Sequence, residues 1–363
     1  MTSGSSDSST AGMKGEGYYD AHSEYQQRVI DTGNELISSA AAGLDPGPED
    51  SPITIVDYGA GTGATSVRAV GTAIRAVRER EPERPVQAIH NDVAGNDFSE
   101  LFANVAGEDG YLGIAGGPIY AGAAVGSFFD QVLPSGTVRL GMCSNAAHWL
   151  RRQPHGVSIP DGMYYADATG VARAALAAQA GEDWLAFLGV RGAELAPGGR
   201  MIVQGIATTE DGRASASKLL GVMWRAAEEL AGEGRLDHDA LAGYVFPVYC
   251  RSAEEARAPV APGGALEGDL EEVSSTVEEV ANPYWEAYER DGDPEAYAKT
   301  YVEFVRAFAE STLMEHLFEP AAKGIEPEAL CDEYFERLRE LSAADPEAGR
   351  YECWILRQQL ARR

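Results

Sequence analysis

The chain has 363 residues, 44% of them hydrophobic, enough to bury the core of two domains or of one large domain with insertions, which excludes wholesale disorder. Its 29 Lys and Arg against 57 Asp and Glu leave a formal net charge of −28. That charge repels phosphate backbones and anionic lipid, so neither nucleic acid nor membrane is an expected partner.

The N-terminal 16 residues are Ser-, Thr- and Gly-rich without an apolar core, and disorder is expected there. Helical spacing of Val29, Ile30, Leu36, Ile37 and Ala40 predicts a helix over Ser23–Ala42. Ile53–Asp57 reads as a buried strand, followed by the glycine-rich turn YGAGTGATS and a helix over Val67–Arg80. Val86–Asp92 is a second strand and Phe98–Val105 a short helix. The charge-free stretch Tyr111–Phe129 is broken by glycines and Pro118, which predicts a loop feeding a buried strand and not a membrane span. A strand over Thr137–Met142, an Ala-rich helix over Val171–Leu195 and a strand over Arg200–Gly205 complete an alternation that predicts an α/β fold with a mostly parallel sheet.

Beyond residue 210 helices dominate, at Ser215–Glu233, Ala296–Phe318 and Pro327–Ala343, with strand-like pieces at Tyr244–Cys250 and Tyr351–Leu356. Ala258–Asp269 reads as a loop and the acidic run Glu271–Glu279 as a solvated face. The expected organisation is an α/β domain of residues 17–210 and 345–363, with a mainly helical cap of residues 211–344. Cys143, Cys250, Cys331 and Cys353 show neither C-x-x-C nor zinc-finger spacing, so free thiols in a reducing cytoplasm are expected, and no metal site is evident.

Gly59, Gly61 and Gly63 lie between a strand and a helix, where glycines let a ligand approach the backbone closely. The string also satisfies the dinucleotide pattern G-x-G-x-x-G/A, so alone it does not separate a nicotinamide oxidoreductase from a methyltransferase. The acids discriminate. Glu79, at the spacing of a dinucleotide ribose acid, sits in the exposed run RERE, whereas Asp92 ends the second strand, where a carboxylate accepts from ribose hydroxyls. Asp57 ends the first strand, where it would repel a pyrophosphate but suit the ammonium and sulfonium of S-adenosylmethionine.

The chain resembles the SABATH family of salicylate-, benzoate- and theobromine-type methyltransferases, through several blocks in order. GEGYYDAHSEYQQRVI resembles the family's G-x-x-S-Y-A-x-N-S-x-x-Q, and VDYGAGTGATS stands where the family has A-D-L-G-C-S-S-G-P-N. HNDVAGNDFSELF is close to N-D-L-P-x-N-D-F-N-x-L-F, and AAVGSFFDQVLPSGTV to V-P-G-S-F-Y-x-R-L-F-P. CSNAAHWL resembles S-S-Y-S-L-H-W-L, LAPGGRMIV matches L-x-P-G-G-x-M-V, and YVFPVYCRSAEE resembles F-N-I-P-x-Y-x-P-S-x-E-E.

The resemblance implies a Rossmann-like class I methyltransferase sheet with helices on both faces, S-adenosylmethionine as cofactor, and a homodimer. It places Tyr19, Ser23, Asp57, Gly59, Asp92, Val93, Ser127 and Phe128 around the cofactor. It places Gln26, Asn145, His148, Trp149 and Tyr249 around the substrate, with Gln26 and Trp149 as the pair that holds a carboxylate. The departures are the glycines in place of C-S-S-G, Ala94 for a proline, and Cys143 and Asn145 for the first serine and the aromatic of S-S-Y. The smaller polar Asn145 enlarges or polarises the pocket.

The expected reaction is methyl transfer to the carboxylate of a small hydrophobic acid; the alternative is N- or phenol-O-methylation. A carboxylate is already anionic at neutral pH and needs no base. Neutral donors then orient it without blunting the nucleophile. For an amine, phenol or ring N–H, His148 would matter as a base.

Overall fold

The computed structural model describes residues 24–363, apart from the side chain of Gln26. Seven strands form one sheet: β1 (Ile53–Tyr58), β2 (Val86–Asp92), β3 (Ile119–Val125), β4 (Val138–Ser144), β5 (Leu195–Ile206), β6 (Leu270–Glu279) and β7 (Trp354–Arg362). Their order is β3-β2-β1-β4-β5-β7-β6. The first five pair parallel, and β7 runs antiparallel between β5 and β6. The order reverses beside β1, which places a crevice at the C-terminal ends of β1, β2 and β4.

Both faces are covered, and the central strands are accordingly apolar on both sides. Ile55, Ala88, Met142 and Ile202 pack on one face, beneath helices α2 (Asn34–Gly43), α3 (Ala64–Arg78) and α4 (Phe98–Ala106). Their chain neighbours Val56, Ile89, Cys143 and Val203 pack on the other, against Trp184, Phe187 and Leu188 of α5 (Gly170–Glu194). A third core joins α1 (Glu24–Asp31) to α6 (Ser217–Gly232), α7 (His238–Ala242), α9 (Pro283–Asp291), α10 (Pro294–Leu313) and α11 (Pro327–Ala344), with the short α8 (Ala253–Arg257) closing the 244–250 segment.

Four local readings need correction. The helix expected over Ser23–Ala42 is two helices, α1 and α2, meeting at Thr32 and Gly33; Gly33 packs on the Gln204 side chain, where a Cβ would come within 1.8 Å of Oε1. β3 is an edge strand and not a buried one: Tyr120 and Val125 are 59% and 58% exposed. Lack of charge there reflects small residues, not burial on both sides. The strand-like Tyr244–Cys250 is buried but irregular, making a single bridge between Val248 and Trp149 across Pro247, which has no N–H to donate. The acidic run Glu271–Glu279 is exposed as expected, yet it forms β6 at the other sheet edge, inside the range read as cap. Its glutamates discourage pairing with a further strand.

Among the described residues no helix is long and apolar enough to cross a membrane, and no group of His, Cys, Asp and Glu could hold a metal ion. All four cysteines are buried and none forms a disulfide.

Candidate active site

The glycine turn after β1 is shaped by backbone conformations that L side chains avoid: Gly59, Gly61 and Gly63 have φ of 81°, 56° and 102°. A Cβ on Gly59 would lie 2.5 Å from the Ala146 Cβ, whereas one on Gly61 meets nothing within 4 Å. The turn therefore presses on the segment after β4 at one point and opens onto free space at the next. Two side chains that sequence reasoning missed hold it from α4 and its approach. Asn96 donates to the Gly61 carbonyl at 2.7 Å and Asn104 to that of Thr62 at 2.9 Å.

Asp57, Gly59, Asp92 and Val93 come together here. Asp92 accepts from the Gly61 N–H at 2.7 Å and the Val93 N–H at 2.8 Å, one on each oxygen. A carboxylate oxygen has two acceptor sites, so each retains one, in the arrangement a vicinal diol needs. Burial raises the Asp92 pKa, and these two N–H groups partly offset it. Asp57 is buried, and its pKa is pushed up to about 6, first by burial, with Asp92 adding to it and a hydrogen bond from Ser66 opposing it. No cation among the described residues acts on it. A buried carboxylate lacking a cation, beside an open backbone turn, suits a ligand that brings its own positive charge.

Ser127 and Phe128 lie in the turn after β3. Phe128 closes over the glycine turn, its ring 3.6 Å from the position of a Gly59 Cβ. Ser127 Oγ accepts from the Phe129 N–H at 3.2 Å, shaping that turn. A buried pair fixes the segment from below. Arg191 donates to the carbonyls of Phe128 and Asp130, and Glu194 accepts from the Val132 and Leu133 N–H groups and from the Tyr58 hydroxyl. Neither Arg191 nor Glu194 was singled out from sequence, because both sit in an unremarkable helical stretch.

Across Asn145 and Ala146 from the glycine turn lies a narrow, partly open apolar cavity of about 70 Å³. Its walls are Tyr25 and Val29 of α1, Asn145, His148 and Trp149 after β4, Phe246 and Val248, Phe304 and Phe308 of α10, and Tyr351 and Cys353 before β7. Asn145 has φ of 55°, a left-handed conformation unusual outside glycine, although asparagine tolerates it. Trp149 packs on Phe246 at 5.7 Å between ring centroids.

Among the described residues, no side chain of the cavity titrates near neutrality. Burial, with the nearby Arg251 guanidinium, depresses His148 to about 3, and its buried Nδ1 has no hydrogen-bond partner. Burial pushes Cys353 up to about 12 and raises the Tyr25, Tyr164 and Tyr351 hydroxyls far above their usual value. Among the described residues no Lys, Arg, Asp or Glu lines it.

One assignment needs correction. Tyr249 does not line the cavity. Phe246 and Val248 face the cavity, and the irregular turn at Pro247 leaves Tyr249 facing away from it. It packs on Tyr165, with its hydroxyl donating to Glu255 at 2.7 Å. Gln26 is on α1 beside Tyr25, but its side chain lies outside the described residues, as do Tyr19 and Ser23. The wall residues Tyr25, Phe304, Phe308 and Tyr351 were missed; their apolar spacing is indistinguishable from that of core.

A family model described as SAM dependent carboxyl methyltransferase matches residues 6–356. The chain is 27% identical to a salicylate carboxymethyltransferase of Clarkia breweri over 90% of each chain. It is 25% identical to a 3,7-dimethylxanthine N-methyltransferase of Camellia sinensis over 92% of this chain and 90% of that one. A solved structure titled loganic acid methyltransferase with SAH superposes with a TM-score of 0.78 at 22% identity, covering 97% of this chain and 98% of the other, which shows the shared fold.

Proposed function

Since this chain belongs to the S-adenosylmethionine-dependent carboxyl methyltransferase family and is an S-adenosylmethionine-dependent methyltransferase, we propose that it esterifies the carboxylate of a small hydrophobic acid. One observation carries this reading: among the described residues the cavity offers no base. With His148 held at about 3 and Cys353 at about 12, neither accepts a proton from a substrate at pH 7 in the manner of a tuned catalytic base. The nucleophile must arrive already ionised, and a carboxylate does.

The residues around the glycine turn fit the cofactor. Asp57 lies where it would meet the ammonium of the methionine end, Asp92 would receive the ribose hydroxyls, and Val93, Ser127 and Phe128 would enclose the adenine. Tyr19 and Ser23 belong to the same assignment by family resemblance. When bound, S-adenosylmethionine supplies a methyl group made electrophilic by its positive sulfur. What remains for the chain is positioning and exclusion of water. In this reading the Trp149 indole N–H and the Gln26 amide hold one carboxylate oxygen and leave the other free to attack. Both donors are neutral, so they orient the anion without forming an ion pair that would stabilise it against reaction. Asn145 adds a polar edge where the two halves of the site meet, and neutral His148 contributes shape and a ring nitrogen, not basicity. The aromatic walls from α1 and α10 favour a flat or hydrophobic acid. The cap, taken as residues 211–252 and 280–344, covers this side. A cytoplasmic homodimer is part of the same reading, by resemblance to the family, and sedimentation would test its dimeric part.

The deciding experiment incubates purified protein with methyl-labelled S-adenosylmethionine and a panel of benzoate, salicylate, anthranilate, indole-acetate, cinnamate, short terpenoid and fatty acids, with xanthines and phenols alongside. Label recovered as a base-labile, volatile product with an acid supports esterification. Base-stable label in a xanthine or phenol, with none in any ester, refutes it.

A further inference from the structure

Behind the cofactor turn lies a buried polar chain for which methyl transfer itself has no use. Asp57 of β1 and His90 of β2 are register partners on adjacent parallel strands, so their side chains leave the sheet on the same face. Helix α3 covers that face and brings Ser66 between them. Ser66 Oγ lies 2.8 Å from His90 Nδ1 and stands close enough to the Asp57 carboxylate to lower its pKa as a hydrogen-bond donor. On the far side of the ring, His90 Nε2 lies 2.7 Å from the Tyr111 hydroxyl, and the two rings stack with centroids 5.8 Å apart. All four residues are buried.

Counting protons fixes the direction of every bond. Ionised Asp57 can only accept. Ser66 has one O–H, which goes to Asp57, so Ser66 Oγ must accept from His90, and the imidazole proton sits on Nδ1. Nε2 is then a lone pair, and Tyr111 donates to it. The donors run Tyr111 to His90 to Ser66 to Asp57. Protonating Asp57 on the oxygen that faces Ser66 reverses each bond: the acid donates to Ser66, Ser66 to Nδ1, and Nε2–H to Tyr111.

We propose that Ser66, His90 and Tyr111 form a proton-ordering relay that keeps Asp57 ionised toward the cofactor's ammonium, and that His90 changes tautomer, not charge, as Asp57 gains or loses its proton. The relay rests on the assignment of Asp57 to the cofactor's ammonium. Burial keeps His90 at about 4, neutral throughout the range where Asp57 titrates. The other groups acting with Asp57 are Asp92, Tyr111 and Cys143; no cation is among them. Ser66, His90 and Tyr111 are positioning residues. A cofactor that binds below pH 6 releases the Asp57 proton to solvent and resets the relay.

Long-range proton–nitrogen spectra of the full chain with nitrogen-15-labelled histidine rings test this. The His90 signals are identified by their loss in His90→Phe or, should that variant not fold, by their displacement in Tyr111→Phe, which keeps the stacked ring. The expected result without ligand is the Nδ1–H tautomer at pH 7.5, giving way to Nε2–H below about pH 6 without an imidazolium. S-adenosylhomocysteine at saturation should restore Nδ1–H at pH 5.5. In Ser66→Ala the tautomer should cease to follow pH, and S-adenosylhomocysteine should bind about tenfold more weakly, more so at pH 6 than at pH 8. Nε2–H at pH 7.5, an imidazolium forming near pH 6, or an unchanged switch in Ser66→Ala overturns the relay. A switch that saturating S-adenosylhomocysteine leaves unmoved overturns the coupling to the cofactor and leaves methyl transfer intact.

Discussion

Asp57→Asn should make the ligand-free protein more stable at pH 7 while removing its affinity for the cofactor. The Asp57 pKa lies at about 6 in the fold against an ordinary 3.8, so the folded form binds the proton more tightly than the unfolded chain does. Stability therefore falls as pH rises from about 4 to about 6 and stays reduced above that. The difference between the two values amounts to about 3 kcal/mol. Asparagine keeps the shape and an acceptor for Ser66 but carries no charge, so up to about 3 kcal/mol should be regained. With an unfolding entropy of roughly 2.1 cal/mol/K per residue, that corresponds to a rise in Tm of about 4 °C. Differential scanning calorimetry of both proteins between pH 4 and pH 8 measures it. The gap should close towards pH 4. S-adenosylhomocysteine should raise the wild-type Tm and leave that of the variant unmoved. A ligand-free variant no more stable than wild type at pH 7, with the same pH slope, refutes the view that Asp57 is a carboxylate held for an absent cation.

Asp92→Ala should abolish cofactor binding by calorimetry and also lower ligand-free stability by about 1–3 kcal/mol, since the Gly61 and Val93 N–H groups lose their acceptor; unchanged affinity removes Asp92 from the site. Trp149→Phe should keep S-adenosylhomocysteine affinity within twofold but reduce kcat/KM by roughly 5- to 150-fold, the equivalent of about 1–3 kcal/mol. Unchanged turnover would dismiss the indole N–H as a carboxylate donor. Gly59→Ala forces a Cβ to 2.5 Å from Ala146 at a φ of 81°, so it should lower Tm and cofactor affinity together. Equal behaviour in both respects would show that the contact relaxes freely.

The cofactor half of the site was legible because its determinants are local. A strand, three glycines and a helix occupy one short stretch, and Asp57 and Asp92 lie at the C-terminal ends of β1 and β2. The substrate half was legible only where one block, Asn145 to Trp149, follows a strand of the same sheet. The remaining walls come from α1, α10 and the approach to β7, far apart in the chain. Phe304, Phe308 and Tyr351 carry the same signal as core residues, and only the fold shows which of them face a cavity. Tyr249 failed for a related reason: the irregular turn at Pro247 leaves its side chain facing away from the cavity. β6 was missed because its glutamates mask a Val-Ser-Ser-Thr-Val run with strand propensity, and only pairing with β7 discloses it. His90 carried a usable signal, an ionisable ring inside an otherwise apolar strand and directly before the acid motif, which asks for buried partners.

The dependence of turnover on pH separates the two halves of the site and the two chemistries at once. For a carboxylate substrate, kcat should be flat from about pH 6.5 to 9, because the nucleophile is ionised well below that range. No described side chain of the cavity changes charge within it either: burial holds His148 at about 3 and pushes Cys353 up to about 12. The Asp57 proton must leave for the cofactor's ammonium to be met, so the apparent affinity for S-adenosylmethionine should fall below about pH 6. That loss belongs to KM for the cofactor and not to kcat at saturation, since bound cofactor draws the Asp57 pKa back down. A phenol or ring N–H substrate predicts a different curve. With no base among the described residues of the cavity, the reactive anion would have to be drawn from solution, and the rate would climb about tenfold per pH unit until the substrate's own pKa is reached. A kcat that climbs in this way with the best acid would mean that deprotonation limits the reaction, which a carboxylate nucleophile does not require, and would refute esterification.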